Sequence, residues 1–113
     1  MSQHYKLDRV RELAEDDEDF VSAIAAAFIE EVPEDAERLK VGVPNKDFKD
    51  VYQAAHKMKP TIDMFELGVL DTLIEVQDWG KFEQGDKDVT AELQIVLKAV
   101  ENATNEIKAD FGL

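Results

Sequence analysis

Apolar residues recur every three or four positions along nearly the whole chain, and no stretch alternates long enough to predict a strand. A short first helix is predicted over Leu7 to Ala14, with Leu7, Val10 and Leu13 or Ala14 on one face. The acidic run Glu15 to Asp19 then puts negative charge at the N-terminus of a long second helix, where the macrodipole favours it. That helix shows Phe20, Ile24, Ala27, Phe28 and Val32 at helical spacing. Pro33 is expected to kink or divide it, with Ala36 and Leu39 continuing the stripe and Gly42, Pro44 and Asn45 ending it. A third helix, over about 47–66, begins at the favoured N-cap Asp47, with Asp50 three places on in a box-like arrangement. Its apolar face reads Val51, Ala55, Met58, Ile62 and Phe65. Gly68 marks a boundary, and a fourth helix from about Val69 to Trp79 turns Leu70, Leu73 and Ile74 inward. Gly80 to Lys87 reads as a polar loop. The last helix carries Val89, Leu93, Val96, Leu97, Val100, Ile107 and Phe111. These elements predict an all-α antiparallel four-helix bundle, with the first helix as a cap.

The 113 residues suit a single domain spanning 1–113. With no cysteine, the chain has neither disulfides nor thiolate chemistry. Its start lacks the apolar run of a signal peptide, and no window of about 18 apolar residues suggests a membrane span, so a cytoplasmic location is expected. The 13 basic and 26 acidic residues give a formal charge of −13. That field opposes nucleic-acid binding, which needs a basic face to displace counterions from phosphates. Most of the charge reads as solvated helix faces. Against that background Lys57 and Lys59 form a local basic spot, and they flank His56.

The chain has two histidines. His4 lies in a terminal segment expected to fray, and no function is assigned to it. His56 lies about 140° from the centre of the Val51, Ala55, Met58 and Ile62 stripe, so it faces outward or sits at a groove between helices. Tyr52, Lys59, Pro60 and Asp63 fall around it at one- and two-turn spacings. An exposed neutral imidazole is a good nucleophile toward an activated phosphoryl group, and a lysine one turn on can neutralise the incoming charge. Pro60 removes the N–H that would bond the His56 carbonyl and leaves little side chain above the imidazole. From spacing alone the same residues also fit a surface histidine beside a solvated lysine.

The stretch Ala55-His56-Lys57-Met58-Lys59-Pro60-Thr61-Ile62-Asp63-Met64-Phe65 resembles the signature of histidine-containing phosphotransfer (HPt) domains. That signature runs histidine, any residue, apolar, lysine, glycine, then small residues and an apolar position. His56 matches the phosphorylated histidine, Met58 the apolar position and Lys59 the lysine. Asp47-Phe48 is similar to the capped aromatic start of the family's histidine-bearing helix. Phe28-Ile29-Glu30-Glu31-Val32-Pro33 is similar to part of the helix before it. The likeness runs from about Leu7 to the end, but only the block from His56 to Phe65 is specific. Pro60 stands where the family usually has glycine, and Glu66 where a second glycine is common.

The resemblance implies a phosphorelay intermediate, a protein phosphocarrier rather than a complete enzyme. His56 would accept a phosphoryl group from the aspartyl phosphate of a receiver domain and pass it to another. Its partners would be receiver domains of response regulators or hybrid histidine kinases, met by Tyr52, Lys57, Pro60 and Asp63. No cofactor or metal is implied, and the chain would be monomeric. The family also tends to place a polar residue, often glutamine, on the next helix against the imidazole or phosphoryl group. Gln77 continues the inward phase of Leu70, Leu73 and Ile74 and is the candidate, with Asp78 its competitor; Gln77 also fits a residue that merely borders the core.

Other classes fit less well. A di-iron bundle needs two Glu-x-x-His pairs, and the residue three before His56 is Gln53. A phosphopantetheine carrier needs a modifiable serine, usually after aspartate, whereas Ser22 follows Val21 and Ser2 is terminal. Nothing resembles the nucleotide-binding domain of a histidine kinase. The remaining alternative is an acidic helical adaptor that binds a protein partner with His56 incidental.

Overall fold

The computed structural model describes residues 4–113 and is all-helical, with α1 (Asp8–Leu13), α2 (Glu18–Gly42), α3 (Phe48–Met64), α4 (Leu70–Lys81) and α5 (Thr90–Phe111). No strand occurs among the described residues, and none of their helices is long and apolar enough to cross a membrane. Asp17 caps α2 by accepting the N–H groups of Asp19 and Phe20, and Asp47 caps α3 by accepting that of Asp50. The second half of the expected capping box is missing, because the Asp50 carboxylate turns to Arg38 of α2.

All five helices stop in the same way. A residue two to five places past each end donates its N–H five residues back: Asp16 to Arg11, Asp47 to Gly42, Leu67 to Ile62, Gln84 to Trp79 and Leu113 to Lys108. The residue before each donor is left-handed, the geometry of a Schellman closure. Only the last of these is a glycine, Gly112. Glu15, Lys46, Glu66 and Glu83 adopt φ between 49° and 53° elsewhere, where an L side chain costs about 1–2 kcal/mol. Two punctuation readings change as a result. Gly80 lies inside α4 rather than in a loop, and Glu66 itself forms the turn after α3.

α3 packs between α2 and α4, and α5 packs against the same two helices. Arg38 pairs with Asp50 near the α2–α3 turn, whereas Phe28 meets Phe65 at the far end, so the two helices run in opposite directions. At the α2–α3 turn, a Cβ on Gly42 would stand 2.7 Å from Val51 Cγ2. From the other side, a Cβ on Gly80 of α4 would stand 2.7 Å from the Phe48 carbonyl oxygen and 2.9 Å from the Tyr52 nitrogen. The start of α3 is held between two bare backbones.

The buried face of α3 is the predicted one: Val51, Ala55, Met58, Ile62 and Phe65 all lie in the core, joined by Ala54. In α2 the expected Phe28, Val32, Ala36 and Leu39 are buried, but in the first turns the stripe is rotated by about one residue. Val21 and Ala25 are buried there, while Phe20 is 48% exposed, Ala27 is exposed and Ile24 only half-buried. Pro33 lies inside α2 without dividing it. In α4 Leu73 is buried as expected, but Leu70 and Ile74 are half-buried and Val76, Trp79 and Gly80 complete the face. The N-terminal segment is docked rather than frayed. Tyr5 is buried and its hydroxyl donates to Asp110 at 2.7 Å, and the His4 backbone and ring both bond Glu106 of α5.

A side chain at Gly80 would press on backbone rather than on a movable tip. Gly80→Ala is therefore expected to destabilise the fold by about 1–3 kcal/mol, although alanine favours a helix by about 1 kcal/mol over glycine. Thermal unfolding of the two chains checks this; an unchanged or higher midpoint would show that α3 and α4 can part without cost.

Candidate functional site

Burial of Val51, Ala54, Ala55, Met58 and Ile62 leaves one side of α3 to solvent, and His56 stands there, exposed. Tyr52, one turn back, stacks on the imidazole with ring centroids 5.6 Å apart and planes 22° from parallel. Its own backbone lies under Gly80, so the stacking partner is seated on the closest approach of two helices. Lys59, one turn on, is half-buried, and among the described residues its ammonium has no carboxylate or carbonyl partner.

The remaining predicted surface residues are exposed but not all free. Lys57 reaches back to α2, where its ammonium lies 3.4 Å from the Oδ1 of Asp35. Asp63 pairs with Arg9 of α1 at 2.9 Å, so the exposed face of α3 continues onto the first helix. Both partners of that pair are solvated, which makes it worth less than about 1 kcal/mol. Pro60 is exposed and lies within a continuous α3.

Gln77 is buried, with 7% of its surface exposed. Gly80 faces the segment Phe48–Tyr52, so in an antiparallel pair Gln77 comes level with Ala54 and Ala55. Helical side chains slant toward their own N-terminus, which for α4 is the direction of His56. The Gln77 amide nitrogen lies 3.5 Å from Asp78 Oδ1, and its Oε1 has no partner. No hydrogen bond joins Gln77 or Asp78 to His56 among the described residues.

One feature of the site has no counterpart in the sequence reading. Asp35 of α2 is 3% exposed and lies between Arg38 and Lys57, at 3.5 Å and 3.4 Å. Arg38 in turn donates to Asp50 at 2.6 Å. The hydrogen bond to Asp50 raises the Arg38 pKa above its ordinary value, and the charges of Asp50 and Asp35 add to this against partial burial. The network ties α2 to the histidine-bearing helix through the residue next to His56. The available signal was the Asp35–Arg38 spacing beside the stripe Val32, Ala36 and Leu39. Among the described residues no group of three or more histidine or carboxylate side chains is arranged to hold a metal ion.

No family model matches this chain, and no curated protein or solved structure matches it either. The site is therefore judged on its own chemistry. It offers a solvent-facing imidazole, a ring stacked behind it and an uncommitted ammonium one turn away.

Pro60 leaves the His56 carbonyl without its helical donor. Pro60→Ala restores that N–H, and because position 60 is exposed nothing else is lost. The variant is expected to gain up to about 3 kcal/mol, read from denaturant unfolding. A lower stability would mean that packing, not the backbone, sets the geometry there.

Proposed function

We propose that the four long helices close into an antiparallel four-helix bundle capped by α1, and that this bundle is a phosphotransfer domain carrying a phosphoryl group on His56. The observation that carries the reading is the exposed imidazole with an unpaired lysine ammonium one helical turn away. The HPt-like block from His56 to Phe65 supports the same reading from the sequence side. The protein would act as a cytoplasmic, monomeric phosphocarrier between receiver domains of response regulators or hybrid histidine kinases.

The chemistry asks little of the carrier. The unprotonated ring nitrogen of His56 attacks phosphorus, the bond from phosphorus to the receiver's aspartyl oxygen breaks, and the carboxylate leaves with that electron pair. The ring proton stays on the other nitrogen. Tyr52 limits the orientations open to the imidazole through stacking. Lys59 faces the transferred phosphoryl group as a point charge. Gln77 supplies the amide at the same level of the bundle. Return transfer to a second receiver reverses each step.

The deciding assay incubates the chain with phosphorylated receiver domains and follows label that is stable to alkali and lost in acid. His56→Gln should abolish that label while changing stability by no more than about 0.5 kcal/mol, since the position lies off the core. Absence of label with every receiver tried would leave the adaptor reading in its place.

Lys59 should matter only once an anion is present. Lys59→Ala is expected to slow transfer or shorten the lifetime of phospho-His56 with little change in unfolding midpoint. Parent-like kinetics and lifetime together would reduce Lys59 to a solvated surface residue.

A further inference from the structure

Beyond the His56 surface, a set of unpaired charges gathers at the end of the molecule where α2 passes into α3 and α4 into α5. A cavity of about 540 Å³ opens there. Its apolar lining comes from Val43, Trp79, Val89 and Leu93, and its rim carries Lys40, Lys46 and Lys87. In a chain with twice as many acidic as basic residues, none of these three ammoniums meets a carboxylate or carbonyl among the described residues. The ammoniums of Lys6, Lys49, Lys59, Lys81, Lys98 and Lys108 meet none there either, and what sets these three apart is that one cavity gathers them.

The rim lysines come from three different segments, and their convergence is structural. A Cβ on Gly85 would lie 3.9 Å from Lys46 Nζ, which sets that ammonium over the connection between α4 and α5. The lining also holds a carboxylate, Asp88: hydrogen bonding from Thr90, whose N–H lies at 2.9 Å, lowers its pKa and keeps it charged, so an anionic head is confined to the lysine side of the cavity. The first turn of α5 adds Thr90 and Gln94 to the wall, and its macrodipole is positive at that end. Screening over about 8 Å at physiological salt removes most of the repulsion from distant carboxylates in a chain of charge −13, so the charges nearest the cavity decide.

We propose that this cavity binds a small amphipathic anion, with a carboxylate or phosphomonoester head among Lys40, Lys46 and Lys87 and a short aliphatic body against Val43, Trp79 and Leu93. The site is separate from His56, which stands about 12 Å along α3 from its first residue, and the proposal does not rest on phosphotransfer.

The chain carries its own reporter. Trp79 is its one tryptophan, and the indole N–H donates to the Lys87 carbonyl at 2.9 Å. Titration of the full chain with hexyl phosphate is expected to shift Trp79 emission saturably, with a dissociation constant below about 1 mM. Inorganic phosphate lacks the body and hexanol lacks the head, so neither should reproduce the shift at the same concentration. The double variant Lys40→Gln, Lys87→Gln should bind at least about tenfold more weakly, whereas Lys98→Gln, Lys108→Gln, at exposed positions outside the cavity, should bind as the parent does. Should the first double variant fail to fold, Lys46→Gln alone takes its place. No saturable shift, an equal shift with hexanol or inorganic phosphate, or parent-like binding by the cavity variant would overturn the proposal.

Discussion

Two glycines decide how α3 sits. Gly42 lets α2 close on Val51, and Gly80 lets α4 close on the backbone between Phe48 and Tyr52. A helix gripped in this way at its first turns cannot rotate about its axis without driving Val51 into α2 or its own backbone into α4. Ala54 and Ala55 extend the close fit, and Met58 and Ile62 fill the space beyond them. With rotation set, the 100° step of the helix carries His56 to solvent, Tyr52 beneath it and Lys59 beside it. The position of the imidazole is therefore a consequence of small residues that carry no chemistry themselves.

This also explains what could be read from the sequence. The α3 stripe combines Val, Met, Ile and Phe with clearly polar positions between them, so its phase was unambiguous and His56 was placed correctly. The α2 segment Ala23-Ile24-Ala25-Ala26-Ala27 offers no such contrast. With alanine on every side, the larger Phe20 and Ile24 pulled the reading one residue away from the buried Val21 and Ala25. Helix ends fall within about two residues of the expected ones, but the residues that form the turns are not the expected glycines. Glycine is the usual left-handed residue after a helix, but here Glu15, Lys46, Glu66 and Glu83 take that conformation. The two glycines that mattered most were spent on close packing instead, and punctuation by residue type cannot tell the two uses apart. The burial of Gln77 was legible because it shares the inward phase of α4, whereas no hydrogen bond joins it to His56. Asp35 was not, since a buried carboxylate is recognisable only once its cationic partners on a different helix turn are in view.

The distribution of paired and unpaired cations follows from the same geometry. Lys57 projects from α3 toward α2 and meets the buried Asp35: losing Lys57 would leave that carboxylate with Arg38 as its remaining cation and few water contacts. Lys59, two residues on, is turned about 200° around the helix and finds no acid. Adjacent lysines in one short stretch thus have different work. One fastens α3 to its neighbour, and the other is left uncommitted next to the imidazole.

An uncommitted lysine beside an exposed histidine does little while both are in water. At 4 Å two unit charges interact by about 1 kcal/mol at the dielectric of bulk solvent, and by about 4 kcal/mol at the effective value near a covered protein surface. Under the proposed function, the gain arrives only when a partner covers the face of α3 and expels water from it. The surface around His56 leaves that covering to the partner: Pro60 presents no long side chain, and Asp63 is already neutralised by Arg9. A carrier built in this way would leave its electrostatics incomplete until a partner binds. Transfer would then be fast only inside the complex, and the phosphoryl group would be exposed to weaker fields between encounters, which is the behaviour a relay between two partners requires.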